Sequence, residues 1–388
     1  MLKQITLAAI ISLGLSAVIV SNVNSAFKKV EKKLRLGILN NSILLLWLIA
    51  TAVCGQPQTS RASSAATYLE RGNSWMEKGE IERAIADYDL AIAFDSRSAI
   101  AYYNRAVARQ RKGDLDGAVS DYGRAIELNP RCADAYLNRG VIRYGQGERA
   151  AGISDISRVI EFNPRDVRAW INRGKALGDL GDLNAAIADL DQAIKLDSRN
   201  AVGWSNRCSV HYLQGALDAA LADCDRALKL DSRNADAWNN RGLARQEKGD
   251  LEGALADFDH AITLYPQQAI YYSNRGRVRL MKDEPDRALD DLNRALEIDS
   301  KLAEAWSCRG VAWFAKQDFT RAIADFNQAL KLNPRLADTY CGRGVTRLAQ
   351  GKLEEAEADV ARCRELGGDL KSKAAALLRE MKERRAPR

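Results

Sequence analysis

Residues 235–268 read ADAWNNRGLARQEKGDLEGALADFDHAITLYPQQ, and this stretch decides the fold because the chain keeps returning to it. Counting from Ala65 in steps of 34 gives nine such repeats, the last opening at Ala337. The fourth place is aromatic in all nine, from Tyr68 and Tyr102 through Trp238 to Tyr340. The eighth is Gly in seven repeats, with Ala106 and Cys208 as departures. The twentieth is Ala in all but one, which has Gly152, and the twenty-seventh is Ala except for Val159 and Cys363. A register held this long is a property of the fold.

Each repeat holds two amphipathic segments of about 13 residues at helical period. A turn separates them at Gly79, Gly113, Gly147, Gly181, Gly215, Gly249 and Gly351, while Asp283 and Gln317 take that place in two repeats. Turn-forming pairs such as Asn129-Pro130 and Asp197-Ser198 close most repeats. The small residues at the eighth, twentieth and twenty-seventh places let two helices approach closely, with the fourth-place aromatic filling the space beside them. Helices this short are marginal alone, so each repeat must bury its face on its neighbours. The expected fold is all-α: an α-α superhelical solenoid of tandem helix-turn-helix repeats over residues 65–370.

An aromatic near the start, then Gly, Ala, Tyr88 or Phe258, Ala and Pro in a 34-residue unit resembles the tetratricopeptide repeat. The resemblance implies a right-handed superhelix whose first helices line a concave groove, and a role in protein–protein interaction. Residues 369–384 read as one more helix, with Ala374, Leu377, Leu378 and Met381 on one side, so 371–388 is expected to be a basic capping helix and tail.

Two more columns are invariant. The seventh place is Arg and the twenty-third is Asp throughout, giving pairs such as Arg139 with Asp155, Arg173 with Asp189 and Arg241 with Asp257. They are expected to be structural ion pairs tying helix to helix, inside a repeat or across to the next. The sixth place is Asn in six consecutive repeats: Asn104, Asn138, Asn172, Asn206, Asn240 and Asn274. Asn is a mediocre helix-interior residue, and an amide both donates and accepts, which suits a bound peptide backbone. The same place resembles an asparagine ladder lining the groove in some peptide-binding members; the alternative is an amide satisfying nearby backbone or the adjacent Arg. Tyr103, Tyr144 and Tyr212 are expected on the groove side too. The groove lacks the Lys and Arg clustering that would clamp a free carboxylate.

The net charge of +7 resides at the ends. Residues 1–35 carry six basic side chains against Glu31, and residues 371–388 carry seven against two acidic ones, which leaves about −3 between them. That body makes a poor phosphate surface, so no nucleic-acid partner is expected. The seven cysteines form no CxxC and no zinc-like spacing with His211 or His260, and read as small hydrophobes or chance thiols. With no phosphate loop, no GxSxG and no metal-ligand cluster, neither catalysis, metal nor cofactor is expected.

Two apolar runs, residues 5–20 and 36–53, flank the basic stretch Lys28–Arg35. The second has a signal-peptide layout ending at Ala50-Thr51-Ala52, and Cys54-Gly55 follows as in a lipidated envelope protein, although Val53 is bulky for that pattern. The first run reads as a signal peptide of its own, a spanning helix, or a prefix from too early a start. Residues 1–54 are thus an export and membrane-targeting segment, with Cys54 a lipidation candidate and 55–64 a linker. The expectation is an exported, membrane-associated scaffold of a bacterial cell envelope or periplasm that binds proteins or peptides. The alternatives are a carrier-type assembly factor for envelope proteins and a cytoplasmic location.

Overall fold

The computed structural model describes residues 58–368 as helices and tight turns, with no strand among the described residues. In chain order the helices are α1 (Gln58–Glu77), α2 (Ile81–Phe94), α3 (Ala99–Lys112), α4 (Leu115–Leu128), α5 (Ala133–Gly145) and α6 (Arg149–Phe162). Then come α7 (Val167–Asp179), α8 (Leu183–Leu196), α9 (Ala201–Leu213), α10 (Leu217–Leu230), α11 (Ala235–Glu247) and α12 (Leu251–Leu264). The last six are α13 (Ala269–Met281), α14 (Pro285–Ile298), α15 (Ala303–Ala315), α16 (Phe319–Leu332), α17 (Ala337–Ala349) and α18 (Leu353–Glu365). Odd-numbered helices open each repeat and even-numbered ones close it. Residues 1–54, expected to be a targeting segment and including Cys54, and residues 371–388, expected to be a capping helix, lie outside the described residues. α1 begins at Gln58, ahead of the expected Ala65, so most of the stretch read as a linker is helical. Past Pro57 it contains no Gly or Pro to stop a helix.

Each break has a local cause. The seven turn glycines hold φ between 75° and 91°, a left-handed conformation that costs Gly nothing. Asp283 and Gln317 hold it too, at φ 58° and 64°, against the preference of an L side chain. Asp114, Asp250 and Asp318 then cap the following helix by accepting a hydrogen bond from a first-turn N–H, at 3.0, 2.9 and 3.0 Å. At the repeat ends, Asp197 and Asp231 fold back to accept from the N–H two residues on.

Within a repeat the helices meet at the eighth and twenty-fourth places. A Cβ on Gly242 would stand 2.8 Å from Phe258, and one on Gly174 would stand 2.8 Å from Leu190 and 3.2 Å from the Ala186 carbonyl. The twenty-fourth residue therefore fills the gap that the sequence assigned to the fourth-place aromatic. That aromatic works within its repeat and between repeats. Trp238 packs against a cluster of Ala227, Leu228 and Ala237 that joins repeats five and six, and its indole N–H donates to the Ser232 carbonyl of the preceding repeat at 2.9 Å.

The helices form two compact units, residues up to 143 and from 144 onward, parted in the last turn of α5. In the first unit α1, α2, α3 and α4 pack in succession, and α1 also touches α3. In the second, every even helix from α8 to α16 packs on the odd helices before and after it. The odd helices α7 through α17 touch one another in sequence, and no even helix makes a comparable contact with the next even one among the described residues. In this unit first helices therefore lie against one another on one side and second helices stand apart on the other, the packing of an α-α solenoid. No described helix is long and apolar enough to cross a membrane.

Candidate functional site

The invariant Arg and Asp form a seam between the two helices of a repeat. In eight repeats the guanidinium grips the Asp of its own repeat with two parallel hydrogen bonds; Arg241 reaches Asp257 at 2.9 and 2.7 Å, and Arg173 reaches Asp189 at 2.7 and 2.8 Å. Arg139 and Asp155 of repeat three belong to different units. Every seam Asp in those eight repeats is buried, and a buried carboxylate is tolerable only when paired like this. A second cation joins several of them, as Arg245 joins Asp257 at 3.0 Å and Arg347 joins Asp359 at 2.7 Å.

All the seam guanidiniums share one further neighbour, and seven have a second. Each lies over the fourth-place aromatic of its own repeat, at 4.6 Å from the Trp238 centroid and 4.5 Å from Trp306. Arg105, Arg173, Arg207, Arg241, Arg275, Arg309 and Arg343 also reach back to the twenty-fifth place of the preceding repeat, with Arg207 to Asp191, Arg241 to Asp225 and Arg275 to Asp259 at 2.5, 2.6 and 2.5 Å. Burial alone would lower the pKa of Arg241, but the bonds to Asp257 and Asp225 outweigh it and hold the charge more firmly than usual. The twenty-fifth place was missed in the sequence. Asp89, Asp191, Asp225, Asp259, Asn293 and Asn327 are the signal that marked it.

The six asparagines do not share one environment. Asn274 is only 6% exposed and donates to Asn239 at 2.8 Å, so it is not a groove residue as expected; its amide is consumed between adjacent first helices. Asn104 donates to Asn73 at 2.8 Å, Asn138 to the Tyr122 hydroxyl at 3.2 Å, and Asn240 to the Ser205 carbonyl at 3.5 Å. Asn172 and Asn206 are half-buried on successive first helices and make no side-chain hydrogen bond among the described residues. Asn206 lines two adjoining clefts of about 660 and 190 Å3 in the second unit. Of the tyrosines, Tyr103 packs against Tyr122 with centroids 5.7 Å apart, and Tyr144 donates to the Ala176 carbonyl at 3.1 Å. Tyr212 is half-buried, and burial raises its pKa.

Four cysteines are neither chance thiols nor unpaired hydrophobes. Disulfides join Cys208 to Cys224 and Cys341 to Cys363, each with Cα atoms 5.4 Å apart. Cys208 and Cys224 occupy the eighth and twenty-fourth places, where seven other repeats set a glycine against a bulky side chain, so one covalent bond replaces that packing pair. Cys132 and Cys308 are free, and burial pushes the Cys308 thiol up to about 11. His260 stacks on Trp238 at 4.4 Å. No group of His, Cys, Asp and Glu suited to a metal ion occurs among the described residues.

Family models described as Tetratricopeptide repeat match residues 142–201, 171–235, 210–279 and 303–336, and one described as TPR repeat matches 72–113 and 110–147. These matches cover more than half of the chain. A tetratricopeptide repeat protein from Parabacteroides merdae superposes with a TM-score of 0.57 at 18% identity, over 64% of this chain and 99% of that one. A chain of the APC/C hetero-tetramer Cut9-Hcn1 superposes with a TM-score of 0.60 at 15% identity, over 82% of this chain and 76% of that one. No curated protein matches the sequence.

Proposed function

Because the chain belongs to the tetratricopeptide repeat family, whose members are generally protein–protein interaction scaffolds, we propose that it is a non-catalytic scaffold holding an extended peptide or protein segment along the inner wall of its second unit. The observation that carries this reading is the uncommitted amides of Asn172 and Asn206 on neighbouring first helices. Each offers a donor and an acceptor to a passing backbone, and the clefts around Asn206 give side chains somewhere to go. Replacing Asn172 and Asn206 together by Ala should weaken capture of a crosslinked partner roughly tenfold while leaving helicity intact. A double variant that captures the same partner as wild type would move the ligand off the inner wall.

Export is part of the same proposal. Two buried disulfides suit an oxidising compartment, and the layout of residues 1–54 suits delivery there with membrane attachment, Cys54 being the lipidation candidate. A reporter fused after Ser64 should be active only outside the cytoplasm. Release of the protein from membranes by Cys54→Ser would assign the anchor. A carrier for envelope proteins is the second reading, favoured by amides that grip backbone of any sequence; broad binding across a peptide array would select it over a single-partner scaffold.

A further inference from the structure

The chain departs from its own pattern most sharply where repeats six and seven meet. Asp or Asn stands at the thirty-first place of the other seven of the first eight repeats, as at Asp197 and Asp299, but repeat six has Tyr265. The basic residue two places on becomes Gln267, and the small residue at the third place of the next repeat becomes Tyr271. All three departures line the same cleft of about 660 Å3, together with α9 and α11.

Its chemistry is one-sided. Tyr265 presents its ring at 60% exposure. Tyr271 is buried and donates its hydroxyl proton to one Asp236 oxygen at 2.8 Å, leaving the other oxygen open. Asp231 likewise spends one oxygen on the Arg233 N–H. Ser205 also lines the cleft; it is only 2% exposed, and its Oγ has no hydrogen-bond partner. A buried hydroxyl left without a partner is costly, which marks it as a group awaiting one. Two carboxylates outnumber the single cation at the rim, Arg233.

We infer that this cleft takes an arginine side chain of the bound peptide. A guanidinium supplies five donors in a plane and stacks on aromatic faces. Here it would meet Tyr265 with its face, Asp236 and Asp231 with its edge, and the Ser205 oxygen at the floor. Lysine offers a point charge without the planar fork, and a glutamate would meet the carboxylates. The inference rests on the inner wall being the peptide-binding surface, and it names the side chain that anchors the peptide there.

The test is a titration of the full chain into a fluorescein-labelled Gly-Ser-Gly-Ser-Arg-Ser-Gly-Ser-Gly peptide, with Lys, Gln and Glu versions beside it. The Arg peptide should bind tightest, at least tenfold better than the Gln version. Tyr265→Asn restores the residue type of the other turns at an exposed site, so it should leave the melting temperature unchanged. It and Asp236→Asn should each cost the Arg peptide about fivefold or more and leave the Gln peptide unmoved. Equal binding of Arg and Gln peptides, no binding of the Arg peptide, or an arginine preference that survives both substitutions would overturn the assignment. If the wild-type chain and both variants still capture a cellular partner alike, only the arginine cleft is lost; failure of the wild type to capture any partner defeats the scaffold reading itself.

Discussion

The Arg–Asp seam and the asparagine row lie one residue apart in sequence, yet the chain treats them differently. In eight repeats the seam has one geometry, two guanidinium bonds to one buried carboxylate, as at Arg71 with Asp87 and Arg343 with Asp359. The asparagines go to different partners: another asparagine, a phenol, a carbonyl, or none. A column whose partner is supplied by every repeat can stay uniform. One that reaches toward the preceding repeat meets whatever that repeat provides, and it diverges.

The most severe test of this contrast is to strand a seam charge. Asp257→Ala removes the shared partner of Arg241 and Arg245, and losing one side of a buried ion pair should cost about 3 kcal/mol or more in a chemical melt. Asp225→Ala touches only the exposed link to Arg241 and should cost under about 1 kcal/mol. Equal costs would mean the buried bond is not what fixes the column. Reduction comes next. Opening Cys208–Cys224, which closes a 16-residue separation, should cost about 2–3 kcal/mol, read as a lower melting temperature in dithiothreitol. Replacing the pair with the glycine and phenylalanine of repeat six (Cys208→Gly with Cys224→Phe) should make repeat five indifferent to reductant.

A smaller effect belongs to alkaline pH. Burial raises the Tyr88 phenol from 10.0 to about 12, so the folded chain holds this proton more tightly than the unfolded chain does. Stability from that difference is fully present below pH 10 and is lost as pH rises toward 12. Tyr88→Phe should flatten this loss in an alkaline titration followed by circular dichroism. Least of all, Asn206→Ala should change stability by less than about 0.5 kcal/mol, because its amide holds nothing in the free protein. A cost as large as that of Asp257→Ala would place Asn206 among the structural residues.

The period, the helix breaks and the seam were legible because each recurs with its partner at a constant offset; Arg173 and Asp189 differ by the same interval as Arg241 and Asp257. The disulfides were not, because a separation of 16 or 22 residues spells no motif. The cue for the first was a paired departure, Cys208 and Cys224 replacing a glycine and its bulky partner, and the twenty-fourth place had to be seen as that partner first. The fate of Asn274 was hidden as well. Its amide turns inward because Asn239 takes a place that is Leu137 or Ile171 in earlier repeats, and only contact between adjacent first helices brings the two together. The Tyr265 cleft is made of breaks in the repeat, so a reading built on recurrence passes over it.

The backward reach of seven seam arginines makes joints between repeats, and the joints of the second unit are unequal. Those at Arg207, Arg241 and Arg275 close on solvent-exposed carboxylates, whereas those at Arg173, Arg309 and Arg343 close on Ser157, Asn293 and Asn327. Exposed ion pairs weaken as salt rises, and a guanidinium's hydrogen bond to an uncharged acceptor is less affected. Added salt should therefore weaken the three carboxylate joints at Arg207, Arg241 and Arg275 more than the three that close on Ser157, Asn293 and Asn327.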